Sequence, residues 1–206
     1  GSATLDQMAL TDNERGLVVT NDGEARVSNS DLSGNRNQAV DNASATNTLN
    51  ASSNWWGTVD ETEVNLAASG QVDFTPYLGS GTDTKPDTRG FTGDFSILHV
   101  TSRGQQHETI VGRIQEATDL ATPAGQVVVE PGRYEESATI STEGLHLTGR
   151  TGIVSDVVIA PASNSGITIL GDQILVSDLT VTGAEVGVDV SGGTATVRHT
   201  ALNNNQ

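Results

Sequence analysis

Apolar residues recur along this chain at a spacing that neither one long helix nor a flat sheet explains. Leu5 and Leu10 are followed by Asn13; Val27 and Leu32 by Asn35; Val197 and Leu202 by Asn205, with the same offsets each time. The apolar pair alone recurs at Val154/Ile159 and Val176/Val181. Short apolar runs lie between the frames, such as Leu17-Val18-Val19, Ala39-Val40 and Val188-Asp189-Val190. Leu5 and Val27 are 22 positions apart. Periods of about 20–30 residues belong to solenoids, in which each coil buries its apolar face on its neighbours. Strands this short, separated by polar corners, predict a β-solenoid rather than a leucine-rich repeat. Asn at a fixed corner tolerates the left-handed backbone such corners need, and predicts a ladder in which each amide bonds the next. One stretch has a different period. Over residues 108–121, Ile110, Ile114, Ala117, Leu120 and Ala121 share one helical face, and the helix ends before Pro123.

Both tryptophans are adjacent, in Asn54-Trp55-Trp56-Gly57, with Gly70-Gln71-Val72-Asp73-Phe74-Thr75-Pro76-Tyr77-Leu78 downstream. A Trp pair can be a sugar-stacking platform or a plug over a last open coil; the plug is the favoured reading. This segment resembles the terminal coils of bacterial and archaeal right-handed parallel β-helix repeat proteins, which end in such an element. The helix over 108–121, the Val-rich run 126–134 and Leu145-His146-Leu147-Thr148-Gly149 resemble the opening cap and first coils of pectate-lyase-like β-helices. The resemblance implies an all-β chain, a right-handed parallel β-helix in two halves with one short capping α-helix. Residues 1–78 are the closing coils and end cap, with Trp55 and Trp56 as the plug. Residues 79–90 are a Gly/Pro-containing polar linker. Residues 91–206 are the opening cap, with Ile110 and Ile114 on its covering helix face, and the first coils.

The closing end therefore precedes the opening end, and the chain starts and stops inside the repeat. Open coils expose apolar interior and unpaired strand edges, which are association templates. The expected assembly interface comprises Leu5, Leu10, Asn13 and Val18 at one end and Val188, Val197, Leu202 and Asn205 at the other. Three arrangements follow: residues 195–206 stack on residues 3–19 of the next chain in a head-to-tail fibre; the halves close on each other within one chain; or the chain is cut from a longer tandem array. The fibre is the preferred expectation, for a non-catalytic structural protein, extracellular or at the cell surface.

Charge narrows the partners. Lys and Arg total 10 against 26 Asp and Glu, a formal net charge of −16. That disfavours nucleic acid and anionic membranes, and no apolar run approaches the roughly 20 residues of a membrane span. Cysteine is absent, which removes thiol nucleophiles and thiolate metal sites. No nucleophile elbow, phosphate loop or spaced histidine pair is present, so no catalytic residue is assigned. The β-helix resemblance implies a second function, binding or cleaving an acidic polysaccharide with calcium. Its weak candidates are the outward Asp156 and Asp178, one repeat apart, with Asp189 a further outward position. Stacked carboxylates need a cation between them, but two solvated turn aspartates are the simpler reading, and no cofactor is expected.

Overall fold

The computed structural model describes residues 1–21, 23–44, 46–107, 112–162 and 164–206. The chain is a β-solenoid in which strand far outweighs helix, with two short helices among the described residues. It divides into two units, residues 1–94 with 103–107 and residues 95–102 with 112–206.

In the first unit, β1 (Ser2–Asp6), β3 (Glu24–Ser28), β5 (Leu49–Asn50) and β7 (Val72–Asp73) stack in one parallel sheet. Strands β2 (Arg15–Val19), β4 (Gln38–Asn42) and β6 (Ala68–Gly70) form another. The register Leu5↔Val27 and the bond from Leu10 N–H to Asp31 O place the repeated frames above one another. Alternation decides the faces: Val27, Leu32 and Val40 are buried, and Leu5, Leu10 and Leu17 pack against that core. A one-residue slip would turn every one of them to solvent, so the pattern specifies the register. Trp56 lies in the same core, edge-on to Phe74 at 6.1 Å. Gly81 lies against the Trp55 ring, and beyond residue 90 Phe91 N–H bonds Gln7 O and Gly93 N–H bonds the Asn29 side chain at 2.7 Å.

Helix α1 (Glu61–Ala67) in this unit adds to the one helix expected from periodicity. Asp60 caps it, accepting from the Thr62 and Glu63 N–H groups. An Asp with Glu three positions on is a helix-start signal. Its apolar content is too small to show a period, because Val64 is buried while Leu66 is 70% exposed.

Strand β8 (Tyr77–Leu78) belongs to the first unit, and the second unit has parallel ladders of its own. Strands β9 (Ile97–Val100), β10 (Gln126–Val129), β13 (His146–Gly149), β16 (Ile174–Thr182) and β18 (Ala195–Asn203) stack in parallel. Strands β11 (Gly132–Tyr134) and β14 (Val157–Ile159) join the later half of β16. Strands β12 (Ala138–Ile140), β15 (Ser165–Ile169) and β17 (Val186–Val190) form the other sheet. Leu98, Val127, Leu147 and Val176 make a continuous buried row. Burying such a side chain contributes about 1.5–3 kcal/mol.

One repeat assignment is corrected here. Val176 stacks on Leu147, not on Val154, and the offset is 29, as between Thr148 and Ser177. Val154 lies in a turn, within the excursion that separates β13 from β14. Strand β16 crosses the same distance without an excursion, through a left-handed Asp178 at φ 62°. The later pair keeps its expected place, with Ile159 against Val181.

Helix α2 (Arg113–Leu120) is shorter than expected, and residues 108–111, Ile110 among them, lie outside the described residues. Ile114, near the start of α2, is fully buried. Gly112 supplies no capping side chain; the Glu136 carboxylate instead accepts from the N–H groups of Arg113, Ile114 and Gln115 at 3.0–3.2 Å. A Cβ at position 112 would collide with that carboxylate. Burial pushes the Glu136 carboxyl above its ordinary value, against the three N–H groups and Arg113, which favour its charge. Gln115 holds the helix on the edge of β12. Its side-chain amide accepts from Thr139 N–H at 2.7 Å and donates to Thr139 O at 3.1 Å, as a neighbouring strand would.

Candidate functional site

The first and last coils carry apolar rows that are buried one coil further in. Val176 and Val181 are fully buried, whereas Val197 and Leu202, directly across from them, are 39% and 49% exposed. Val190 is likewise exposed and Val188 half-buried, across from buried Ile169 and Ile167, and exposed Val186 lies across from half-buried Ser165. At the other end Leu5 and Leu10 are half-buried over fully covered Val27 and Leu32. Val18 is exposed and sits across from Asp41, beside the Arg15–Asp41 ion pair at 3.2 Å. Leu17 and Val19 are the inward residues of β2. The edges are backbone edges too: among the described residues of their units β1 pairs with β3 alone, and β18 with β16 alone.

The corner asparagines clamp backbone rather than each other. Asn35 Oδ1 accepts from Asn13 N–H at 3.0 Å, and its Nδ2 donates to Leu10 O at 2.7 Å. Asn54 does the same to Ser30 N–H and Val27 O at 2.9 and 2.8 Å. Asn205 does it to Ala184 N–H and Val181 O at 3.1 and 3.2 Å. In all three the later coil's amide bridges an N–H and the C=O three residues before it on the earlier coil. The expected amide-to-amide ladder is thus replaced, because the backbone groups at a left-handed corner lack strand partners and the amide satisfies both. Asn13, in the first coil, turns its Nδ2 onto its own Thr11 O at 3.0 Å.

Comparison with protein-family models, curated proteins and solved structures finds no match to this chain.

On the outer face of the second unit, register brings His99, Val128, Thr148, Ser177 and Arg198 into one row. His99 Nδ1 lies 3.0 Å from Glu130 Oε1, both buried, and Arg150 Nη1 is 3.2 Å from the same imidazole nitrogen. Beside them, Ser177 Oγ contacts His146 Nε2 at 3.2 Å and Thr148 Oγ1 at 3.0 Å. Asp178 accepts from Thr148 Oγ1 and lies 3.5 Å from His199 Nδ1. His99, His146 and His199 are three of the 4 histidines in the chain. Their isolation in sequence hid this grouping; only the coil offset brings them together. Ser177 is fully buried, so its hydroxyl links coils rather than facing a substrate.

Burial, and next Arg198, lower the His146 pKa from 6.5, with Asp178 opposing. The Ser177 hydrogen bond leads those that hold Asp178 below its ordinary carboxylate value. Between the folded and unfolded pKa values of His146 the unfolded chain binds more protons, so stability falls as pH drops below the unfolded value. Asp178 adds a loss at lower pH, as pH falls through its own folded pKa. Thermal melts between about pH 7.5 and 5 should show a decline that His146→Gln makes shallower; equal slopes would refute this account.

Asp156 and Asp178 precede the paired residues Val158 and Thr180 at equal distance. Their carboxylates have different partners, however: Thr151 Oγ1 donates to Asp156 at 2.8 Å and Thr148 Oγ1 to Asp178 at 3.3 Å, while Ser191 Oγ donates to Asp189 at 2.7 Å. Among the described residues no group of three or more His, Asp and Glu is arranged to hold a metal ion. Trp56 is buried and Trp55 half-buried, with Gly81 against the Trp55 ring. On the first unit a groove of about 400 Å³ is lined by Thr4, Arg26, Asn50 and His107. Among the described residues no helix is long and apolar enough to cross a membrane.

Proposed function

We propose that this chain is a non-catalytic structural protein of the right-handed parallel β-helix repeat class, working outside the cell or on its surface. It associates head-to-tail with further copies through its first and last coils. One observation carries this reading: inward rows that are dry one coil in are half-exposed at both terminal coils, on strands whose outer edges have no strand partner among the described residues of their units. Such a surface is hydrophobic, hydrogen-bonding and self-complementary in period. The contact joins two different faces, so it does not close and it propagates. The high net negative charge keeps sides of neighbouring assemblies apart.

Light scattering with negative-stain electron microscopy, over a concentration series at low and high salt, tests this. The expected result is concentration-dependent, unbranched particles one solenoid wide. A monodisperse monomer at every concentration would overturn it.

A further inference from the structure

We infer that the terminal coils mate in one register, with Val197 and Leu202 of one copy against Leu5 and Leu10 of the next, Asn13 clamping the backbone at Leu202 and Asn205, and Arg198 facing Asp6. This rests on the self-association reading above and adds the register and the contacts to it.

Three observations converge on that register. First, the backbones of the two terminal coils bend at the same places. Gln7 and His199, each two residues beyond the first apolar position, have φ 56° and 43°; Asp12 and Asn204, two beyond the second, have φ 60° and 53°. The intervening coils repeat the same corners, at Asn29 and Gly34 in the first unit and at Asp178 and Gly183 in the second. A slip by two residues keeps the apolar faces inward but sets left-handed corners against straight strand, and a slip by one turns the apolar rows outward.

Second, the clamp has a direction. Asn35, Asn54 and Asn205 each reach from a later coil to an earlier one. Asn13 occupies the Asn35 position one coil earlier, as the N–H that Asn35 bonds shows, and its own amide is folded onto Thr11. Placed over a last coil of another copy, Asn13 meets the Asn205 N–H and the Leu202 C=O, with the same three-residue offset as the observed clamps. The polarity is head-to-tail, later coil of one chain beneath earlier coil of the next.

Third, the outer row is complementary in charge. Ser28 pairs with Asp6 across β3 and β1, and Ser177 with Arg198 across β16 and β18. In the inferred register the row reads Ser177, Arg198, Asp6, Ser28. Asp6 and Arg198 enter no ion pair among the described residues, and both belong to exposed positions.

Charge reversal tests the register without touching the core. Sedimentation velocity across concentration compares the parent with Asp6→Arg, Arg198→Asp, the double variant D6R/R198D and Asn13→Ala. Each single reversal is expected to raise the concentration for half-assembly about 10-fold, and the double variant to return it to within a few-fold of the parent. Asn13→Ala is expected to weaken assembly while leaving the melting temperature of the free protein unchanged. A general charge effect would instead push the two single variants in opposite directions, since one adds positive and the other negative charge. If the parent assembles but the single reversals do not weaken it, or the double variant is not rescued, the register is wrong and self-association stands. If the parent does not assemble at all, both fail.

Discussion

Leu202→Asp leaves the free protein folded and raises the concentration needed for assembly by at least about 100-fold. The asymmetry comes from where Leu202 sits. It is 49% exposed in the free chain, so a carboxylate there stays hydrated and costs little before association. Its neighbour on the previous coil, Val181, is fully buried. A second copy stacked on β18 would place the new carboxylate in the same dry row, and an unpaired charge in such a site costs several kcal/mol. Leu10→Asp blocks assembly from the other side but is less clean. Leu10 already packs against the first unit's core, so this variant also melts earlier. Sedimentation velocity and thermal melts on both variants separate the effects. Assembly of Leu202→Asp at the parent's concentration would show that this coil is not the contact.

Asn54→Ala should be the most destabilising of the corner-amide truncations, at about 3 kcal/mol, or roughly 6–12 °C in melting temperature. Asn54 is fully buried and accepts from Ser30 N–H while donating to Val27, Ala51 and Ser52 carbonyls. Alanine leaves the Ser30 N–H without this acceptor where water does not reach, and each unsatisfied buried group costs about 1–3 kcal/mol. Asn35 makes the same bridge at a half-buried corner, so Asn35→Ala costs less, because water replaces part of what is lost. Asn13→Ala, at an exposed corner, leaves stability unchanged. Denaturant and thermal unfolding of the three variants should rank them in that order. A parent-like melt for Asn54→Ala would mean the corner is held by the strands alone.

The two asparagine roles illustrate what was legible in advance. The spacing of Leu10 to Asn13 and Leu32 to Asn35 marks a recurrent corner, and the corner exists. What the amides bind was not legible, because the acceptors are backbone groups on another coil. The offset between coils decides which ones, and that offset runs from 20 between Gln126 and His146 to 29 between Thr148 and Ser177. Val154 shows the cost of assuming a constant period: an excursion between β13 and β14 moved its apparent frame into a turn. Val18 shows a finer limit. In Leu17-Val18-Val19 all three residues are apolar, so composition cannot say which alternate set faces inward; the pairing of Val40 with Leu17 does.

By itself, the amino-acid sequence determined the β-solenoid architecture, the inward rows through Leu5, Val27, Leu32, Val197 and Leu202, and the helix that includes Ile114. These depend on local alternation and on burial of apolar side chains, both written in consecutive residues. Only the tertiary structure decided that His99, His146 and His199 share a face with Arg150 and Arg198, that Glu136 caps α2, and that Asp156 and Asp178 have separate partners. Those contacts join residues of different coils. Their identity is set by excursions and corner angles, which shift the stacking offset without changing the apolar pattern that drives the fold.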